Sequence, residues 1–182
     1  MMTLIIGGSG SGKSAYAEEY LLAISGDKRK YYVAAMQACD EESRKRIERH
    51  RRMRAGKGFI TIEQPVRIQA AAAHMEAGER SALLECVSNL TANEMFGGGR
   101  KRTEEAVEAV VDGITLLGKK LTHLVIVSNN VFEDGCVYDE ETMAYLRAMG
   151  WINQRLVAMA DEVIEVAAGL PIVIKAGTDR RG

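Results

Sequence analysis

Short runs of apolar and β-branched residues alternate along this chain with longer segments whose apolar residues recur at helical spacing. The short runs predict strands at Thr3–Ile6, Tyr31–Ala34, Ala82–Cys86, Leu124–Ser128, Val163–Ala167 and Ile172–Lys175, with Phe59–Glu63 as a shorter seventh. The longer segments predict helices at Lys13–Ile24, Glu41–Arg54, Val66–Glu76, Glu104–Lys119 and Glu141–Ala160. This alternation is typical of an α/β fold with a mostly parallel sheet, and the apolar runs LVIV, VIEV and IVIK indicate strands buried on both faces.

The composition fits one soluble domain over residues 1–182. An apolar fraction of 47% excludes a disordered chain, and a formal net charge of −1 argues against a protein that coats nucleic acid. No run approaches the roughly 18 apolar residues of a membrane span, and the amino terminus lacks the basic region of a secretory signal. Three widely spaced cysteines exclude a disulfide framework and indicate a reducing, cytoplasmic location.

The segment between the first predicted strand and the first predicted helix reads GGSGSGKS, which matches the phosphate-binding pattern G-x-x-x-x-G-K-[ST]. Glycines let backbone N–H groups point inward around phosphate oxygens, and the helix that follows adds the positive end of its dipole. The lysine would bridge the β- and γ-phosphates, and the serine would ligate Mg²⁺. The pattern predicts a nucleoside triphosphate site formed by Gly7, Gly8, Ser9, Gly10, Ser11, Gly12, Lys13 and Ser14.

A phosphate loop of this kind works with a second acidic group near the metal, usually at the end of a buried strand. Glu85 follows three apolar residues in the predicted strand SALLEC. A carboxylate there is costly to bury unless it is paired or bound to metal. We therefore predict that Ser14 and Glu85 are the metal-side residues; the alternative is a strand-end glutamate in solvent.

Residues 40–57 read DEESRKRIERHRRMRAGK and contain few large apolar side chains. A helix this polar cannot form a core element by itself, so it is either a solvated face or a surface that binds a polyanion. His50 has Arg46 at i−4 and Arg54 at i+4. Two guanidiniums would disfavour the protonated imidazole and keep a nucleophilic nitrogen available near neutral pH. The alternative is an exposed charged helix with an incidental histidine.

Further segments follow the phosphate loop in order. They are the Ala17-Glu18 pair, YVAAMQ followed by D-x-E, R-I-x-x-H-x-x-x-R (46–54), T-x-E-x-P (61–65), LLEC, VSN, G-x-x-N-Q-R-L with A-D-E-V (150–163) and the closing AAGLPIVIK. In this combination nearly the whole chain resembles the bifunctional adenosylcobinamide kinase / adenosylcobinamide-phosphate guanylyltransferase family of cobalamin assembly. The histidine segment is the most specific part of the resemblance, and it favours a functional role for His50.

The resemblance implies a RecA-like P-loop fold assembled as a homotrimer, with Mg²⁺ as cofactor and with ATP and GTP as substrates. One implied reaction phosphorylates the aminopropanol hydroxyl of adenosylcobinamide; the other transfers GMP from GTP, through a guanylylated His50, to the phosphorylated corrinoid. The residues that fall where the family contacts nucleotide are Ala34, Ala35, Met36, Arg51, Arg52, Met53, Arg54, Glu63 and Glu85. A carboxylate such as Glu63 can accept hydrogen bonds from guanine N1–H and N2–H₂.

The chain departs from the family pattern in three segments. Ala34-Ala35 replaces A-T, Asn129-Asn130-Val131-Phe132 replaces N-E-V-G, and Met143-Ala144-Tyr145-Leu146-Arg147 replaces R-x-[FY]-R-D.

Three other interpretations stay open: a P-loop small-molecule kinase that does not use His50, a non-catalytic nucleotide-binding regulator, and a nucleic-acid-binding protein that uses the basic face of 44–57. Aromatic residues make up only 5% of the chain, which argues against the last.

Overall fold

The structure is a computed structural model that describes residues 1–37, 41, 45, 48, 52, 54, 56–130 and 138–177. Its centre is one seven-stranded sheet. The strands are β1 (Met2–Gly7), β2 (Arg29–Ala34), β3 (Phe59–Glu63), β4 (Arg80–Glu85), β5 (His123–Asn129), β6 (Glu162–Ala167) and β7 (Leu170–Lys175). Their order across the sheet is β3-β2-β4-β5-β1-β6-β7. β1 to β6 are parallel, and β7 pairs antiparallel with β6.

Helices cover both faces of the sheet. They are α1 (Lys13–Ser25), a 3-10 helix (Ile68–His74), α2 (Val87–Phe96), α3 (Thr103–Gly118) and α4 (Glu140–Met159). Ala17 and Leu21 of α1 pack on one face, while the 3-10 helix, α2, α3 and α4 pack on the opposite face. None of the helices in the described part of the chain has the length and apolarity needed to cross a membrane.

Two buried clusters, one on each face, explain why the central strands are apolar throughout. Successive residues of a strand point to opposite faces, so Tyr32 and Leu83 lie in the cluster under α1, whereas Val33 and Leu84 lie in the cluster under α3 and α4. Burial of each such side chain stabilises the fold by about 1.5–3 kcal/mol. The seven predicted strands and the parallel α/β class are confirmed. Described residues of the predicted helix Glu41–Arg54 are helical: Glu41, Lys45, Glu48, Arg52 and Arg54.

The prediction that the IVIK strand is buried on both faces is wrong. Every residue of β7 is exposed, and Leu170 and Ile174 are 69% and 57% exposed. β7 returns antiparallel from β6 through a turn at Ala168 and Gly169, which have φ values of 49° and 82°. It is therefore the edge of the sheet, and hydrophobicity alone does not distinguish such an edge from a central strand.

Two helical segments also differ from the sequence prediction. The predicted helix Val66–Glu76 is a shorter 3-10 helix, whose buried residues Ile68 and Ala71 are three apart, the repeat of that helix. α2 was not predicted at all. Its buried side includes the polar residues Ser88, Thr91 and Glu94, which interrupt the apolar repeat that signals a helix.

Candidate nucleotide-binding site

The carboxyl ends of the parallel strands form one edge of the sheet, where several predicted site residues converge. Ala34 pairs with Glu63 on one side and with Glu85 on the other, so these three residues form a row across β3, β2 and β4. Gly7, the last residue of β1, pairs with Asn129 at the end of β5. Ligands of open parallel sheets bind at this edge.

The phosphate loop connects β1 to α1 as the sequence predicts. Gly10 and Gly12 have φ values of 72° and 89°, a region that residues with a Cβ adopt rarely. The ammonium group of Lys13 donates to the carbonyl oxygen of Gly8 at 2.9 Å, and its side chain is buried. Burial lowers the pKa of Lys13, and nearby Cys86 and Glu85 partly oppose that shift. The loop therefore holds a cation against its own backbone, where phosphate oxygens would replace the carbonyl.

The turn between β6 and β7 supports the phosphate loop from outside. The N–H of Gly169 donates to the carbonyl oxygen of Ser11 at 2.8 Å. A Cβ on Gly7 would lie 2.5 Å from the carbonyl oxygen of Val166, and a Cβ on Gly12 would lie 3.4 Å from Cα of Gly169. Glycine at position 7 is therefore required by packing.

Glu85 is buried and joins the loop to β2. One carboxylate oxygen accepts from the Ser14 hydroxyl, and the other accepts from the Tyr32 phenol at 2.8 Å. Glu85 is thus a buried carboxylate with two hydrogen-bond partners, which excludes the alternative of a strand-end glutamate in solvent; its role beside a metal ion stays a prediction. The sequence did not single out Tyr32. The signal that could have found it is its position two residues before Ala34, because Ala34 pairs with Glu85 and alternate residues of a strand point to the same face of the sheet.

The donor set fits Mg²⁺. Ser14 and Glu85 offer a hydroxyl and a carboxylate in direct contact, and Mg²⁺ prefers oxygen ligands, keeps several waters and takes others from substrate phosphates. Among the described residues no group of three or more His, Cys, Asp or Glu side chains could hold a metal ion. An ion here would therefore depend on water and phosphate for its other ligands.

Arg54 lies over the ring of Tyr32, with its guanidinium carbon 3.5 Å from the ring centroid. It is only 7% exposed, and its Nε and Nη1 atoms have no hydrogen-bond partner among the residues that the structure describes. Phe59 packs edge-on against the same ring at 6.2 Å between centroids. Tyr32 and Glu85 link this guanidinium to the phosphate loop, and guanidinium donors that the described residues leave unused can bind an anion.

Lys57 attaches the segment that follows Arg54 to α1. Its ammonium group contacts Glu18 at 2.9 Å and Glu19 at 2.8 Å, and the Glu18 side chain is 1% exposed. These two hydrogen bonds raise the pKa of Lys57. Within the Ala17-Glu18 pair of the resemblance, Glu18 therefore holds Lys57, the last residue of the basic segment, while Ala17 packs in the core.

A second polar network lies beside Glu85, at the ends of β4 and β5. The Ser88 hydroxyl accepts from the Asn129 amide at 2.7 Å and lies 2.9 Å from the Cys86 sulfur. Tyr145 of α4 donates to the Ser88 carbonyl at 3.3 Å. Burial raises the pKa of Cys86, and burial raises the pKa of Tyr145 to about 12, so both groups are neutral at physiological pH. Two of the segments that depart from the family pattern therefore meet here.

The other residues predicted to contact nucleotide differ in how deeply they are buried. Ala35 is buried in the core; its backbone N–H donates to the Glu85 carbonyl at 2.9 Å and its carbonyl accepts from the Asn93 amide at 2.7 Å, so both of its backbone polar groups are paired within the protein. Met36 is half-buried, Glu63 is exposed, and exposed Arg52 pairs with Glu48. His50, Arg51 and Met53 lie outside the described residues, as do Arg46, Val131 and Phe132.

Sequence comparison decides the family. The profile described as "Cobinamide kinase / cobinamide phosphate guanyltransferase" (CobU) matches residues 3–174. The chain belongs to this family. Similar relatives are the bifunctional adenosylcobalamin biosynthesis proteins CobU of Salmonella typhimurium and of Escherichia coli, 32% and 31% identical, each over 96% of this chain and 100% of the relative. CobP of Pseudomonas aeruginosa, described in the same words, is 29% identical over 96% of this chain and 98% of its own length.

Membership in the CobU family makes this chain an enzyme of the kinase and nucleotidyltransferase class. A solved ATPase domain has the same fold, with a TM-score of 0.55 and 14% identity over 90% of this chain and 68% of that domain. The RecA-like P-loop architecture expected from the sequence is thereby confirmed.

Proposed function

We propose that this CobU-family chain phosphorylates a cobinamide with a nucleoside triphosphate and then transfers GMP from GTP to the product through His50. The main structural support is the contact of Ser14 and Glu85 at an intact phosphate loop, together with the buried Arg54 over Tyr32, whose phenol donates to Glu85. His50 is four residues before Arg54, one turn away in the helix predicted over Glu41–Arg54. The match to R-I-x-x-H-x-x-x-R supports its role.

In the kinase step, the hydroxyl oxygen of the aminopropanol group attacks the γ-phosphorus. The bond from that phosphorus to the bridging oxygen breaks, the nucleoside diphosphate leaves, and the hydroxyl proton passes to solvent. Such transfer depends chiefly on positioning and charge neutralisation. Lys13 and the loop N–H groups would hold the phosphates, and Ser14 and Glu85 would hold Mg²⁺, which neutralises charge on the phosphate oxygens when bound.

In the guanylyl transfer, an imidazole nitrogen of His50 attacks the α-phosphorus of GTP. A nitrogen–phosphorus bond forms, the bond to the bridging oxygen breaks, and pyrophosphate leaves. A phosphate oxygen of the phosphorylated corrinoid then attacks the same phosphorus, which releases His50 and forms adenosylcobinamide-GDP. A covalent histidine divides a difficult transfer between two bulky substrates into two displacements. In this scheme Arg54 contacts the phosphates and exposed Glu63 contacts the guanine.

Labelling with GTP tests this proposal. Label in the α-phosphate should stay on denatured protein, be lost in acid and survive base, because a phosphorus–nitrogen bond to histidine is acid-labile. Label in the γ-phosphate should leave with pyrophosphate. His50→Asn should remove the α-label, whereas His74→Asn and His123→Asn should keep it. Wild-type protein that acquires no α-label in GTP and Mg²⁺ would contradict the histidine route.

A P-loop small-molecule kinase that does not use His50 is the second candidate. It is favoured by one observation: Lys13 donates to the phosphate-loop backbone and Ser14 contacts Glu85, and these contacts would serve phosphate and metal binding without His50. The same labelling separates the two candidates, because the simple kinase transfers the γ-phosphate to a substrate and leaves no α-label on the protein.

A further inference from the structure

Tyr32 contacts two residues of the proposed nucleotide site, the carboxylate of Glu85 and the guanidinium of Arg54. Its phenol donates to Glu85 Oε2 at 2.8 Å, and its ring supports the Arg54 guanidinium at 3.5 Å. Tyr32 is 3% exposed and is fixed on β2, between β3 and β4.

We propose that Tyr32 is a positioning residue that orients the metal-side carboxylate and the Arg54 guanidinium toward the same triphosphate. This inference rests on the proposed function and adds Tyr32 to the residues that act at its nucleotide site. The Tyr32 hydroxyl occupies one oxygen of Glu85 and leaves the other oxygen on the Ser14 side. The Tyr32 ring holds the guanidinium in place while its Nε and Nη1 donors stay unused by the described residues.

The two contacts predict separable effects. Tyr32→Phe keeps the ring under Arg54 and removes only the hydrogen bond to Glu85. Loss of a group that orients a metal ligand typically weakens metal affinity or activity 10- to 100-fold. Tyr32→Leu also removes the ring, and a cation–π contact corresponds to about a 2- to 30-fold change in an equilibrium constant.

Calorimetric binding of a non-hydrolysable GTP analogue, with Mg²⁺ and then in EDTA, tests the proposal. Tyr32→Phe should raise the Mg²⁺ concentration needed for tight binding at least tenfold and leave binding in EDTA unchanged. Tyr32→Leu should weaken binding in EDTA as well. That extra loss should disappear in an Arg54→Ala background, where the guanidinium is already absent.

Tyr31→Phe is the matched control. Tyr31 is the neighbouring residue on β2, is 1% exposed, faces the opposite side of the sheet, and its hydroxyl accepts from the Glu76 N–H at 3.0 Å. It reports the general cost of removing a buried phenol oxygen and should leave the Mg²⁺ dependence unchanged. In a Glu85→Gln background, Tyr32→Phe should cause no further change in the Mg²⁺ concentration needed for tight binding, even where both variants lose stability.

An unchanged Mg²⁺ dependence in Tyr32→Phe, or an equal shift in Tyr31→Phe, would overturn the assignment of Tyr32. Wild-type protein that binds no GTP analogue with or without Mg²⁺ would instead contradict the proposed function, and this inference with it. The two failures are therefore distinguishable in one set of titrations.

Discussion

Replacement of Gly7 by alanine tests how the phosphate loop is held against β6. The added Cβ would lie 2.5 Å from the Val166 carbonyl oxygen and 2.7 Å from the Ser11 hydroxyl. The serine can rotate away, but the carbonyl belongs to the backbone of β6 and cannot move without shifting the strand. Overpacking of this kind costs about 1–3 kcal/mol.

Gly8→Ala is the matched control, because a Cβ at that position meets nothing within 4 Å. Its effect on the free energy of unfolding should stay within about 0.5 kcal/mol. Urea titration gives both values from the shift in midpoint at constant slope. For a chain of this size each kcal/mol lowers the melting temperature by about 2–4 °C. Equal stability of the two variants, or of Gly7→Ala and wild type, would refute the packing argument.

Two other predictions concern Glu85 and its neighbour. Glu85→Gln should lower turnover at least tenfold while GTP still binds in EDTA, because the lost charge belongs to the metal side of the site; unchanged turnover across a Mg²⁺ titration would contradict it. Burial raises the pKa of Cys86, so the unfolded thiol ionises first and stability should fall as pH rises above about 8.5. Cys86→Ala should flatten that decline in urea titrations under reducing conditions, and an identical pH slope in the variant would count against a neutral buried thiol.

The architecture was largely predictable because its signals are local. Apolar runs locate the seven strands, and GGSGSGKS between a strand and a helix locates the phosphate loop. Glu85 could also be singled out, because a carboxylate at the end of a buried strand needs a partner.

What could not be predicted depends on long-range pairing. The exposure of β7 follows from its place at the sheet edge. In α2 the buried Ser88 and Glu94 pair with Asn129 and Lys101, which lie outside that helix. Tyr32 contacts Glu85, 53 residues further along the chain, so its role appears only when β2 and β4 pair. The homotrimer and the cytoplasmic location stay predictions of the resemblance and of the composition.

The intact mass of the protein after incubation with GTP and Mg²⁺ tests the central claim most directly. We predict the addition of one GMP moiety, mapped to His50 by fragmentation, absent in His50→Asn, and lost again when phosphorylated corrinoid is added and adenosylcobinamide-GDP appears. Lys13→Ala, which lacks the phosphate-loop cation, should gain no mass. An unchanged wild-type mass, or GMP on a residue other than His50, would contradict the account.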